Sequence, residues 1–235
     1  MTKLEADFTG YQELLLEDTE LNRRCAQEAI DALQLCHSIA TAPQWESKEG
    51  WKLVDKNKVG DMIYSTQDST LGKIFALVAY LDFPSGDLET LFNEIYYRAE
   101  SMPSWNPDVE QYQKVQDIGR QTELIYMVSK EILGGAVKPR DFTDVRCWRR
   151  INETFCTAQK SVDHPAFPKV KGMIRGSNMA NFTQLSEVGN RYQFIWINRI
   201  DLKGQLPKKI VNKAILHTLL NYVKNLRIHL QSISG

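Results

Sequence analysis

The side chains most capable of chemistry are scattered along this chain. Its four cysteines, Cys25, Cys36, Cys147 and Cys156, form no CxxC pair, and their spacing fits neither a zinc site nor a disulfide-rich scaffold. They read as buried thiols of a protein from a reducing compartment. His164, His217 and His229 fall in unrelated elements, without the acid or nucleophile that a triad or metal centre needs. There is no GxSxG, HExxH, P-loop or dinucleotide fingerprint. The expectation is therefore no catalytic residue, no metal ligand and no cofactor. The enzymatic route that stays open is a lone acid working through a water in a tunnel, as a hydrophobic-ester thioesterase would.

Composition narrows the partners. With 43% hydrophobic and 25% charged residues over 235 positions, the chain is an ordinary globular protein, and one domain is the expectation. Lys+Arg and Asp+Glu are equal at 29 each, so no global field draws in nucleic acid or an anionic membrane. Nucleic acid is excluded as a partner, and membrane contact must be local, apolar and transient. The opening MTKLEADFTGYQELLLEDTE is too acidic for a signal or transit peptide, and nowhere do about 18 apolar residues run together. The expected location is the cytoplasm, with visits to membrane surfaces.

The elements follow from periodicity. Apolar residues from Tyr11 to Ala40 recur at three- and four-residue steps, which predicts an amphipathic helix or two in sequence. Segments rich in β-branched and aromatic residues predict strands at Trp51–Lys56, Asp61–Thr66, Ile74–Leu81, Val109–Gln116, Gln121–Val128, Phe142–Trp148, Phe155–Val162, Lys171–Phe182 and Tyr192–Ile200. Asp87 caps a short helix to Tyr97. After Pro207, the residues Val211, Ile215, Leu219, Tyr222, Leu226 and Leu230 mark one face of a long closing helix.

An antiparallel sheet of about nine strands can wrap around one long helix without filling all the space between. Such a product is a lined tunnel, a binding site before it is anything else, and on these grounds it stands level with a filled core.

The segment GGAVKPRDFTDVRCW, Gly134 to Trp148, resembles the signature of START domains. GWKL (Gly50–Leu53), WNPDV (Trp105–Val109), MIRGSN (Met173–Asn178) and INRIDLKGQLPKKIVN (Ile197–Asn212) follow in the family's order. The stretch around Asp201–Gly204 and Leu206–Lys208 is similar to the subgroup of the steroidogenic acute regulatory protein, near which an insect carotenoid carrier also belongs. The resemblance implies an α+β helix-grip fold in which a curved antiparallel sheet surrounds the C-terminal helix. It divides the chain into an N-terminal helical segment, 1–44, and a lipid-binding domain, 45–235. It further implies a non-enzymatic, monomeric carrier of one lipid, sterol first and carotenoid as the alternative. A lipid-sensing interaction module is the reading from another class.

Site residues follow from the same resemblance. Arg146 matches an arginine that reaches into the cavity and pairs with a carboxylate on the neighbouring strand, where it orients a ligand hydroxyl. Counting back from Pro139–Phe142, the acidic position falls on Met127, which cannot accept that bond. Either the cavity suits a longer, less polar ligand, or Arg146 is satisfied elsewhere and sterol still binds. Trp148, Trp196 and Asn198 on strands, with Leu219 and Val223 on the last helix, complete the expected wall. Gly134 and Gly135, in the loop before the signature strand, and Ile215 on the helix are the expected gate. Arg140 and Asp141 are expected to fix that loop as an ion pair.

Overall fold

The computed structural model describes residues 2–234. Its elements in chain order are β1 (Lys3–Ala6), β2 (Gln12–Leu14), α1 (Glu20–Ala40), α2 (Pro43–Ser47), β3 (Lys52–Lys56), β4 (Met62–Asp68), β5 (Gly72–Leu81), α3 (Leu88–Ile95), α4 (Met102–Trp105), β6 (Val109–Asp117), β7 (Thr122–Ser129), β8 (Arg140–Ile151), β9 (Thr154–Ser161), β10 (Ile174–Arg175), β11 (Ser177–Asn178), β12 (Asn181–Val188), β13 (Arg191–Asn198), β14 (Ile200–Asp201) and α5 (Lys208–Ser232). The main sheet runs β3-β4-β5-β13-β12-β9-β8-β7-β6, antiparallel at every step, and β10 adds in parallel to β8.

Both faces of the sheet are covered, which is why β5 is a nearly continuous apolar run. Along it Ile74, Ala76 and Val78 pack toward α1, while Phe75, Leu77, Ala79 and Leu81 pack toward α5. The helix α1 starts behind Thr19, whose hydroxyl accepts from the Asn22 amide at 3.1 Å. Small buried residues, Cys25, Ala26, Ala29, Ala32 and Cys36, let it lie close on the sheet. On the other face, α5 buries Ile215, Leu219, Tyr222, Val223, Leu226 and Leu230. Its C-terminal half is pinned by Arg227, which bonds Asp61 at 2.8 Å and the Tyr80 carbonyl at 2.9 Å. This is the α+β helix-grip arrangement that the resemblance implied.

Two expectations need correction. The helix predicted from Tyr11 begins only at Glu20, because the preceding residues form the β1–β2 hairpin. The strand predicted over Lys171–Phe182 breaks into two-residue pieces, and the regular strand lies later, at Asn181–Val188. There the Asn178 and Asn181 side chains bond to Asp144, to each other and to the Arg199 amide, competing with a backbone ladder.

Candidate functional site

Between the sheet and α5 lies a cavity of about 180 Å³, against the roughly 10–15 Å³ that one water requires. Met127, Phe142, Phe194 and Trp196 from the sheet and Tyr222 from α5 form much of its wall. Space remains because the middle of the inner face is built from short side chains. Thr157 and Thr183 share a 2.6 Å hydrogen bond there instead of reaching toward the helix.

Arg146 lines this cavity and is 7% exposed. Its partner is Glu123, directly opposite on β7 and 4% exposed, which accepts from the guanidinium Nε. Nη2 donates to the Tyr96 carbonyl at 2.8 Å, and the guanidinium lies 3.9 Å from the Tyr96 ring centre. The expectation that Arg146 lacks a carboxylate is therefore corrected. Met127 does sit on the wall, opposite Phe142, but the acid is four residues earlier along the same strand, at 123. Alternation along a strand puts 123 and 127 on the same face, so the signal was present in the sequence. What was lacking was the register that places Glu123 against Arg146.

Trp196 and Asn198 line the cavity. Trp148 does not; it packs against Phe92 and Phe155, with ring centres 5.2 and 5.9 Å away, in an aromatic cluster outside the wall. Val223 is fully buried in apolar packing between α5 and the sheet. Leu219 and Ile215 border a smaller adjoining cavity of about 30 Å³, which shares Ile132, Asn198, Leu202 and Thr218 with the main one. On α5 the main wall is Thr218 and Tyr222, a choice made by how the helix is rotated.

Gly134 and Gly135 adopt φ of 64° and 84° at the tip of the β7–β8 loop, a conformation that favours glycine. The flanking Ile132 and Val137 are cavity wall, and Val137 packs in one cluster with Leu202 and Ala214 of the α5 side. Asp108 ties the neighbouring segments together. Its carbonyl accepts from the Lys130 amide at 2.8 Å, and its carboxylate accepts from Asn221 of α5 at 2.8 Å. Arg140 and Asp141 do not pair with each other, since consecutive strand residues face opposite ways. Arg140 donates to the Leu202 carbonyl at 3.0 Å, and Asp141 accepts from Arg175 at 2.7 Å.

Behind the wall Asp144 is a buried carboxylate that accepts from Ser161 at 2.5 Å and Asn178 at 2.6 Å. Burial pushes it up to about 6, against the opposing pull of those hydrogen bonds. Burial likewise pushes the thiols of Cys36, Cys147 and Cys156 up to about 12, so they stay protonated and unreactive. Among the described residues no cluster of three or more metal-ligating side chains occurs, and no helix is long and apolar enough to cross a membrane.

The chain is 33% identical to the mitochondrial steroidogenic acute regulatory protein of Homo sapiens, over 94% of its own length and 75% of that protein. It is 31% identical to the Danio rerio protein of the same name, over 92% of its own length and 74% of that one. The human StAR-related lipid transfer protein 5 superposes with a TM-score of 0.79 at 17% identity, over 91% of this chain and all of that one, a likeness of fold. The START domain profile matches residues 42–234. With that match spanning most of its length, this chain belongs to the START domain family.

Proposed function

We propose that the domain takes up one apolar lipid, a sterol, into this cavity and carries it between membranes without altering it. The observation that supports this reading most is an apolar cavity whose wall bears one guanidinium–carboxylate pair, Arg146 with Glu123. A guanidinium carries five N–H donors, so bonds to Glu123 and the Tyr96 carbonyl leave others for a ligand hydroxyl or a bridging water. Relatives named for steroidogenic regulation fit such a cargo. A carotenoid, the alternative cargo, loses one of its two supports because Arg146 has Glu123 as a partner, and keeps the likeness to the subgroup near an insect carotenoid carrier. In this reading residues 45–235 hold the lipid, residues 1–44 cover the outer face, and a cytoplasmic monomer touches membranes transiently.

Entry and exit would pass between the β7–β8 loop and the N-terminal half of α5, because the C-terminal half is anchored by Arg227. Mass spectrometry of lipid extracted from the purified protein, followed by sterol transfer between vesicles, tests the cargo. Absence of sterol binding, or turnover of a hydrophobic ester, would overturn the reading. Cysteines introduced at Val137 and Ala214 and joined by a short crosslinker should stop exchange, the native thiols being buried. Undiminished transfer after full crosslinking would rule out this gate.

A further inference from the structure

The inner face carries more than the Arg146 pair. Following the sheet register across the strands, Glu123 stands opposite Arg146, Arg146 opposite Gln159, and Gln159 opposite Asn181. The β12–β13 pairing, continued one step beyond Phe182↔Ile197, brings Asn181 opposite Asn198. Five polar side chains thus form one transverse row from β7 to β13 across the inner face of the sheet. Arg146, Gln159, Asn181 and Asn198 all line the cavity.

Members of this row differ in how they are satisfied. Glu123 and Arg146 bond each other. Gln159 reaches Asp144 at 3.4 Å, while Asn181 donates to Asn178 at 2.7 Å and accepts from the Arg199 amide at 2.9 Å. Asn198 is the exception: it is 5% exposed, and its Oδ1 is buried without a hydrogen-bond partner among the described residues. A buried amide oxygen left unpaired is costly enough that such groups are nearly always satisfied. Asn198 lies where the main and smaller cavities meet, both of which are also lined by Ile132, Leu202 and Thr218.

We infer that Asn198 is a second polar anchor, and that the preferred cargo is a sterol hydroxylated at the end of its side chain as well as on its ring. This rests on the lipid-carrier reading and adds the ligand's second functional group. One hydroxyl meets Arg146. The other donates to Asn198 Oδ1, a role a hydrocarbon tail cannot fill. Strand spacing sets the separation: three steps of about 4.8 Å from β8 to β13 put the anchors on the order of 14 Å apart. That is the reach of a ligand with oxygen at both ends of a long apolar body.

Equilibrium competition against radiolabelled cholesterol tests this, using cholesterol and its analogue hydroxylated at the side-chain terminus as competitors. The wild-type protein should prefer the dihydroxy sterol by about tenfold, the effect of one satisfied buried hydrogen bond. In Asn198→Leu the preference should vanish, read as the ratio of the two affinities within that variant whatever its absolute affinity for cholesterol. Equal affinities in the wild-type protein overturn the inference without any variant, as does a preference that survives in folded Asn198→Leu. If neither sterol binds, the carrier reading itself falls and this inference with it.

Discussion

Arg146 and Arg149 lie three residues apart on β8, each buried beside carboxylates, and the odd spacing sends them to opposite faces of the sheet. On the outer face Arg149 is enclosed on every side. Its Nε bonds Asp7 at 2.7 Å, its guanidinium lies 3.3 Å from Glu13, and the Tyr11 ring centre is 4.1 Å away. All three partners belong to the segment of the β1–β2 hairpin, so this arginine clamps the N-terminus to the sheet. Burial pushes the Asp7 carboxyl up, but hydrogen bonds from Thr9 and Arg149 outweigh it and hold the group below its usual value. On the inner face Arg146 has one carboxylate and borders open space. Similar chemistry is thus a structural rivet where the shell is closed and, in the function proposed above, a recognition element where it is not.

The largest effect should come from Arg149→Met. It strands two carboxylates in the interior and should cost about 3–5 kcal/mol in chemical denaturation, with lipid binding per folded molecule unchanged. If binding fell in proportion, hairpin and cavity would not be separable. Asp144 supplies a third case, a buried carboxylate with no cation bonded to it. With its folded-state value at about 6, it binds its proton more tightly in the folded than in the unfolded chain. Its charge therefore destabilises the protein progressively as pH rises from about 4 through about 6, by about 3 kcal/mol in all. Relative to wild type, Asp144→Asn should gain stability by about that amount between about pH 4 and pH 7. A carboxyl carbon NMR titration of Asp144 with a midpoint near 4 would contradict this.

The inner-face pair is probed by Glu123→Leu combined with Arg146→Met. Replacing a buried pair by apolar residues is often neutral or stabilising, so denaturation should shift by about 1–2 kcal/mol at most, while sterol affinity drops about tenfold. Retained affinity would place the recognition element elsewhere on the wall. The smallest change is expected from Thr19→Ala, which removes the cap of α1 on the outer face. It should lower stability by about 1 kcal/mol and leave lipid binding untouched.

Much of this was legible from residue types alone. Eight of the nine expected strands coincide closely with strands of the main sheet, and the closing helix starts where Pro207 ends the preceding extended chain. The ninth failed at Lys171–Phe182, where asparagine side chains take over hydrogen bonding from the backbone. The β1–β2 hairpin was invisible because strands of four and three residues carry too few positions to show a period, and its anchor is an arginine more than 130 residues away. At the site, the resemblance pointed to Arg146 and a count along the chain pointed to Met127, but such a count is blind to register, so Glu123 was passed over.

The set of elements, their two-faced patterning and the family signature are written in the residues alone, because they depend on propensities and periods within single segments. Which inward side chains meet emerges from the folded chain: Glu123 answers Arg146, Trp148 and Val223 join packing while Thr218 and Tyr222 form the wall, and Asn198 ends a polar row with its Oδ1 unpaired among the described residues. Strand register and helix rotation are set by the packing of the whole sheet against α1 and α5, and no one segment encodes them.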